Sequence, residues 1–512
     1  MPPKNVIVIV GTTGVGKSQF SIELAKRYNG EIINADSMQM YRDIPVITNK
    51  HPLDEREGIP HHVMNHTNWD EEYFIHRFEK EAREKIQEIH ERGKIPIVVG
   101  GTHYYLNSLL LKDKTIKTNE NMEEEQDSAT RLTEQQKQIL NGSPDLVYDT
   151  LAKEDPKIAG KFHPNDTRRV KRALEIIYLT NKKTSDHYSS QQEVSSQQSS
   201  LKFNTLFFWV YADKPVLDKR LDTRVDSMLK TGGMQEIKDL YSHYKTLTPL
   251  PDCERGVWQV IGFKEFLPWL TSSEPTDSQL HSSVESMKAR TRQYAKKQIK
   301  WIKGSLAVDL QRESKFGYPN GGRLYVLNAT DLEQWQSNVF ERGSEITEEF
   351  LDDKSTIPQA PLGLEELLPS TEDVKADKES EWKHIECDIC RNSDDSKLIL
   401  IGEQQYKIHL SSKRHRSNLN RGKRKREPLY FVINPSRLTS VSNNPPPLMQ
   451  PPGQAITSTK SQAVGLATTT ASSGGCSVFS VDLPAMPLLL LLLAIPDPTL
   501  TFPEGFNFLT RF

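Results

Sequence analysis

Val6-Ile7-Val8-Ile9-Val10-Gly11-Thr12-Thr13-Gly14-Val15-Gly16-Lys17-Ser18 decides the fold of this 512-residue chain. A run of β-branched residues enters a Gly-x-x-x-x-Gly-Lys-Ser loop. Gln19 to Tyr28 then space their apolar members (Phe20, Leu24, Ala25, Tyr28) as one face of a helix does. Strand, loop and helix in that order make an anion cradle. The glycines let backbone N–H groups converge, the helix N-terminus adds partial positive charge, and Lys17 and Ser18 offer an ammonium and a hydroxyl that ligates Mg²⁺. Gly11, Thr12, Thr13, Gly14, Val15, Gly16, Lys17 and Ser18 are therefore expected to hold a di- or triphosphate. A chance glycine-rich turn would need neither flank nor the Lys-Ser pair.

Working outward, Glu31-Ile32-Ile33-Asn34-Ala35-Asp36-Ser37 reads as a second buried strand whose carboxyl end delivers Asp36, Ser37 and Gln39 to the edge where open α/β sheets bind ligands. Asp36 is expected to share a cleft with Lys17; the competing account is a turn-capping aspartate. His51, His61, His62 and His66 fall in a loop-like stretch without cysteine or helical i,i+4 spacing, so packing or substrate contact is expected there rather than a metal. Tyr73 to Arg92 has amphipathic helix spacing and ends at Gly93. Ile95-Pro96-Ile97-Val98-Val99 is a third buried strand. It closes on Gly100-Gly101-Thr102 where a P-loop ATPase usually places its metal-organising aspartate. That departure tells against ordinary ATP hydrolysis and leaves the Thr102 hydroxyl at the strand end.

From residue 112 to 200 the apolar strands stop and the chain turns polar and helical. An inserted helical subdomain is expected there, with Arg168, Arg169, Val170, Lys171 and Arg172 at one helix start. Such a run is either a solvated face or a grip on a phosphate backbone. Phe203 to Tyr211 restores the sheet, and Leu324 to Thr330 supplies its last strand. Met287 to Lys303 reads as a helix bearing Lys288, Arg290, Arg292, Lys296, Lys297, Lys300 and Lys303 with Tyr294 and Trp301 interleaved, a pattern expected to face nucleic acid. The fold class expected is α/β: a P-loop NTPase-like parallel sheet formed by 1–111 and 201–345, interrupted by the helical insert 112–200.

An acidic linker is expected over 346–380. Beyond it, Cys387-x-x-Cys390, eighteen residues and His409-x₅-His415 offer two thiolates and two imidazoles for tetrahedral Zn²⁺, within a finger spanning 381–426. Lys407, Lys413, Arg414, Arg416, Arg421 and Lys423 to Arg426 make its surface strongly cationic. Pro, Ser, Thr and Gly then dominate, and disorder is expected from 427 to 512. The net charge of −2 averages the acidic linker against the basic finger, so partners must be judged locally. Four cysteines, Cys253, Cys387, Cys390 and Cys476, form no disulfide framework, which suits a reducing compartment. The apolar run Leu488 to Leu493 is far short of the roughly 20 residues that span a bilayer, and Met1-Pro2-Pro3-Lys4 has no presequence character, so a cytoplasmic monomer without membrane contact or mitochondrial address is expected. The run Gly422 to Arg426 reads as RNA-facing charge or a nuclear signal.

With Gly11 to Ser18, Asn34 to Tyr41, Gly58-Ile59-Pro60-His61-His62, Val99 to Tyr105 and Thr291 to Gln298, the chain resembles the tRNA dimethylallyltransferases, also called tRNA isopentenyltransferases. The likeness covers residues 5–330, and 382–423 match the matrin/U1-like zinc finger of the fungal and animal type. It implies transfer of a dimethylallyl group from dimethylallyl diphosphate to N6 of adenosine 37, in the anticodon stem-loop of tRNA. It places Thr102 and Arg224 with Asp36 as catalytic residues. It sets Asp36, Ser37, Met38, Gln39 and Arg168 to Arg172 against the tRNA, with Mg²⁺ on Ser18 and structural Zn²⁺ in the finger. The alternatives are a P-loop kinase or NTPase with an RNA-binding finger, and a finger-bearing RNA adaptor.

Overall fold

The computed structural model describes residues 4–112, 116, 132–370, 383–393 and 395–426. At its centre lies β1, Asn5–Gly11, in which Val6 to Val10 are at most 1% exposed. A strand apolar on both faces must be covered on both. β1 is flanked accordingly by β2 (Gly30–Asn34), β3 (His61–His62), β4 (Ile95–Val99), β5 (Asn204–Tyr211) and β6 (Gly321–Asn328) in the order β3-β2-β4-β1-β5-β6. Every pairing is parallel, and Ile7 lies in register with Ile97 on one side and Leu206 on the other. Successive residues point to opposite faces. Val6, Val8, Val10, Ile33, Val98 and Trp209 pack with Phe78, Ala82, Ile86 and Ile89 of helix Ile75–Glu91, and with Ile237 and Phe263. Ile7, Ile9, Ile97, Phe208 and Leu327 pack with Phe20 and Leu24 of helix Lys17–Arg27, and with Leu221, Ala295 and Val339. The expected α/β parallel sheet is the observed one. His61–His62, expected in a loop, instead forms the edge strand: two residues are too few to show a period of two, and Ile32 and Ile33 set their register.

The chain leaves the sheet at Leu111 and returns at Leu201, and these two residues pair in an antiparallel bridge closed by Lys112 N–H on Ser200 O (2.7 Å) and Lys202 N–H on Leu110 O (2.9 Å). Between them stand helices Glu134–Leu140, Pro144–Glu154, Pro156–Lys161, Thr167–Thr180 and Thr184–Gln197, the first four with capping side chains (Thr133, Ser143, Asp155, Asp166). Leu140, Leu151, Ile158, Phe162, Val170 and Leu174 give them a core of their own.

The first part of the stretch read as an acidic linker is packed against the sheet. Helix Arg342–Leu351 buries Ile346 and Thr347, the N–H of Val326 donates to Gln359 O (2.7 Å), and Leu367 is buried. Its acidic composition hid the buried apolar residues Ile346, Ala360 and Leu367. Residues 371–382 and the tail 427–512 lie outside the described residues. β7 (His384–Arg391) and β8 (Lys397–Ile401) form an antiparallel hairpin followed by helices Glu403–Ser411 and Lys413–Arg426. Among the described residues, no helix is long and apolar enough to cross a membrane.

Candidate active site and metal centre

β1, β2 and β4 end on the same edge of the sheet, and their loops bring Lys17, Asp36 and Thr102 together. Gly16 is left-handed (φ +92°), and a Cβ on it would lie 2.5 Å from the Trp335 indole, so glycine is required there for conformation and for space. Lys17 opens the helix and donates through Nζ to Thr12 O at 2.7 Å. A Cβ on Gly14 would lie 3.7 Å from Arg224 Nη1, which places that guanidinium, carried by helix Lys214–Met228, beside the loop. Burial depresses both cations. Lys17 falls to about 8, with Asp36 pulling it up and Arg224 pushing it down, and burial lowers Arg224, for which no carboxylate partner is found among the described residues. Asp36 is shifted the other way. Burial raises it, against the N–H of Met38 on its Oδ1 (3.0 Å), the charge of Lys17 and a backbone bond from Gln39. Two depressed cations beside a loop of backbone donors form a site that gains most from an incoming polyanion.

Gly100-Gly101, standing where a P-loop ATPase places its aspartate, is explained by crowding. A Cβ on Gly100 would lie 2.3 Å from Ala35 O, and one on Gly101 would lie 2.1 Å from Gln298 Nε2. Gln298, buried on helix Asp277–Trp301, accepts the N–H of Thr13 at 3.0 Å and so ties the phosphate loop to that helix. Thr102 Oγ1 accepts the N–H of Ser37 at 3.0 Å. The hydroxyl of Tyr294 bonds Thr102 and Gln298, and its acidity is suppressed by burial and by the nearby charge of Asp36. Gln298 and Tyr294 were not singled out from the sequence as site residues, although both lie in the Thr291 to Gln298 motif. The glycine at 101 was the signal that a side chain fills the space above it.

Of these groups, Thr13, Asp36, Ser37, Arg224 and Tyr294 line a cavity of about 250 Å³. Asp36, Ser37 and Met38 meet Thr48, Asn49 and Gln259 there, with Leu221, Val225 and Met228 on an apolar side and Arg290 and Lys297 at the basic helix. The cations of that helix divide into two sets. Lys288 pairs with Asp226 (2.9 Å) and Glu285, and Arg292 pairs with Asp222, fastening the helix to Lys214–Met228. Arg290 and Lys297 face the cavity instead. Arg220, one turn before Arg224, is spent on the carbonyls of Ala329 (2.7 Å) and Thr330.

The insert's cationic run lies on helix Thr167–Thr180. Arg169 pairs with Asp166, Arg172 with Glu175, and Lys171 Nζ donates to Asn141 Oδ1 (2.9 Å). Arg168 is exposed, and Val170 is turned into the insert's core at 1% exposure. The histidines of the 51–66 stretch find partners other than one another: His62 meets Glu31 at 2.7 Å, His66 meets Glu81 at 2.9 Å, and His61 bonds Ile59 O, with burial lowering its pKa to about 4.

A family model described as IPP transferase matches residues 39–305. The tRNA dimethylallyltransferase of Saccharomyces cerevisiae is 51% identical over 435 residues, which span 84% of this chain and 96% of the yeast protein. The chain belongs to the tRNA dimethylallyltransferase family. The human tRNA dimethylallyltransferase is 30% identical over 462 residues, 88% of this chain and 93% of its own. A solved structure of a eukaryotic dimethylallyltransferase acting on tRNA matches with a TM-score of 0.69 at 51% identity, covering 82% of this chain and 98% of that one.

Beyond the six-stranded sheet, the chain carries a group that could hold a metal ion. Cys387, Cys390, His409 and His415 are all buried, with donor atoms within 4.8 Å of one another. His409 Nε2 lies 3.3 Å from Cys387 Sγ. His415 Nδ1 lies 3.5 Å from Cys387 Sγ, 3.7 Å from Cys390 Sγ and 3.1 Å from His409 Nε2. With Zn–S near 2.3 Å and Zn–N near 2.0 Å, a tetrahedron has edges of about 3.5 Å, so the donor set fits zinc. For Mg²⁺ the loop offers side-chain hydroxyls alone, those of Thr12, Thr13 and Ser18. That suits an ion which takes most of its oxygens from phosphate and water.

Proposed function

We propose that the chain transfers the dimethylallyl group of dimethylallyl diphosphate to N6 of adenosine 37 in tRNA. The observation that carries this reading is a cavity lined by a carboxylate of raised pKa, Asp36, and by the guanidinium of Arg224, with the buried ammonium of Lys17 close enough to feel both charges beside a loop of backbone donors. Breaking the allylic C–O bond leaves the bonding pair on diphosphate. Gly11 to Ser18, the ammonium of Lys17 and the guanidinium of Arg224 take up that charge as it develops. The N6–carbon bond forms from the lone pair of the exocyclic amine, and the proton lost from nitrogen passes to Asp36. Thr102, fixed by Ser37 and Tyr294, orients the reacting atoms. Mg²⁺ on Ser18 would supply further neutralisation of the diphosphate, and Zn²⁺ would hold the finger.

Asp36 to Gln39 would meet the target nucleotide, which must leave its stack to enter the cavity. Arg168 to Arg172 and the finger would meet the flanking phosphates, Val170 only through its backbone. In this reading 1–111 and 201–345 are the catalytic core, 112–200 a tRNA-binding insert, and 381–426 an accessory RNA-binding finger. The protein acts as a monomer in the cytoplasm.

Incubation with tRNA and labelled dimethylallyl diphosphate should give labelled N6-dimethylallyl adenosine. Asp36→Asn should lower kcat by about 10²–10⁴-fold with tRNA affinity nearly unchanged. Label from ATP rather than from the prenyl donor would overturn the reading, and wild-type turnover by Asp36→Asn would overturn the assignment of the base.

A further inference from the structure

Glu236 lies just past the bend Leu229–Gly233, on helix Met234–Tyr244, and takes no part in the chemistry above. It is 9% exposed, and its carboxylate grips backbone: Oε1 accepts the N–H of Val46 and Oε2 that of Ile47, each at 2.8 Å. The two amides open a tight turn in which Asn49 N–H donates to Val46 O (3.0 Å), Lys50 N–H donates to Pro45 O (2.9 Å) and Asn49 adopts φ +56°.

The far side of the same turn is held by Gln39, whose Nε2 donates to Thr48 O (3.2 Å) and Asn49 O (3.1 Å), while its own N–H bonds Asp36 O (3.1 Å). Ile47, Thr48 and Asn49 line the cavity with Asp36 and Arg224. The glycine bend lets the turn sit directly on the helix, since even a Cβ on Gly233 would lie 3.3 Å from Ile47 Cγ2. A hydrogen-bonded chain thus runs from Asp36 through Gln39 and the turn to Glu236, and the bend beyond it joins helix Lys214–Met228, which carries Arg224.

We propose that Glu236 is a positioning residue for prenyl transfer: its carboxylate pins Val46 and Ile47 so that Thr48 and Asn49 stand fixed as the wall on which the acceptor base is seated beside Asp36. This rests on the reading of the cavity as the transfer site. Charge-assisted bonds to two successive amides fix a peptide more firmly than neutral ones. A wall displaced by even an ångström misplaces the nucleophilic nitrogen, a loss that appears in kcat and in the acceptor's KM and leaves the donor's KM unmoved.

Glu236→Gln preserves shape but turns an NH₂ toward one of the two amides, and Glu236→Ala removes both acceptors. Kinetics with each substrate varied should show kcat/KM for tRNA lowered about ten- to a hundredfold, Gln less than Ala, with KM for dimethylallyl diphosphate within about twofold of wild type. Amide exchange over residues 45–50 of the unliganded protein should rise in Glu236→Gln. Wild-type kcat/KM in Glu236→Gln, unchanged exchange, or a KM for dimethylallyl diphosphate raised as much as that for tRNA would each overturn the proposal. Glu236→Gln supplies the kinetics and the exchange even if Glu236→Ala does not fold. If the wild-type protein transfers no prenyl group, the functional reading fails, while the exchange measurement still decides whether Glu236 holds the turn.

Discussion

Asp36 and Lys17, buried close enough to feel each other's charge, face opposite electrostatic problems, and their protonation sets the pH range in which transfer can run. Burial raises the Asp36 carboxyl, so on acidification it takes up a proton at higher pH than an ordinary aspartate (about 4) and is lost as a base. Burial lowers Lys17 to about 8, so on alkalinisation its ammonium, the charge that meets the diphosphate, is lost well below the usual lysine range. In kcat/KM for dimethylallyl diphosphate, which reports groups of the free enzyme, the profile should be a bell. Its acid limb should lie above pH 4 and its alkaline limb near pH 8. Lys17→Arg keeps the cation at every accessible pH and should flatten the alkaline limb while lowering the plateau, because a guanidinium does not reproduce the ammonium's bond to Thr12 O. An alkaline limb unmoved in Lys17→Arg would assign it to another group.

At the level of elements, helix Asp277–Trp301 shows what sequence spacing carries and what it leaves out. Its many cations read as one nucleic-acid-facing wall, yet Lys288 and Arg292 are fastened to Asp226 and Asp222 of the neighbouring helix. Both pairs are spaced by four residues, so two helices each showing one face were written in the chain. Which helix meets which is a tertiary fact that spacing alone does not contain. Arg292→Ala should therefore lower stability by up to about 1 kcal/mol, as partly exposed pairs do, and leave KM for both substrates unchanged. Arg290→Ala and Lys297→Ala, which remove charge from the cavity, should raise KM for tRNA severalfold without moving the melting temperature. Thermal melts beside steady-state kinetics separate the two sets, and a KM effect from Arg292→Ala equal to that from Arg290→Ala would erase the distinction.

Across the molecule, the parts legible in sequence were those with a strong local grammar: the β1 run and its loop, the strand ends at Asp36 and Thr102, and the Cys-x-x-Cys with its distant histidines. The Glu236 grip on Val46 and the Gln298 bond to Thr13 join residues 190 and 285 positions apart and left no periodic trace, apart from the glycines that make room for them. The finger belongs to the first kind and its seating to the second. His384, at the start of β7, bonds Phe162 O through Nε2 (2.9 Å) and meets the Tyr148 hydroxyl through Nδ1 (3.3 Å), so the hairpin rests on the helical insert. That seating depends on the finger being folded, and a small hairpin with two helices has too little core to fold unless Zn²⁺ fills the Cys387, Cys390, His409 and His415 set, as proposed. Chelation should therefore unfold 383–426 and release the insert contact while the sheet, with its own two-sided core, melts as before. With the proposed contacts of the exposed Lys413 and Arg416 to tRNA phosphate lost, tRNA affinity should fall and its dependence on salt should become shallower, because fewer counterions are displaced on binding. Donor affinity, set by a phosphate loop in the separate sheet, should stay within twofold. Titrations of tRNA at several salt concentrations, before and after chelation and again after added Zn²⁺, decide it: an unchanged salt slope would place the finger away from the RNA, and lost donor binding would tie it to the catalytic cavity.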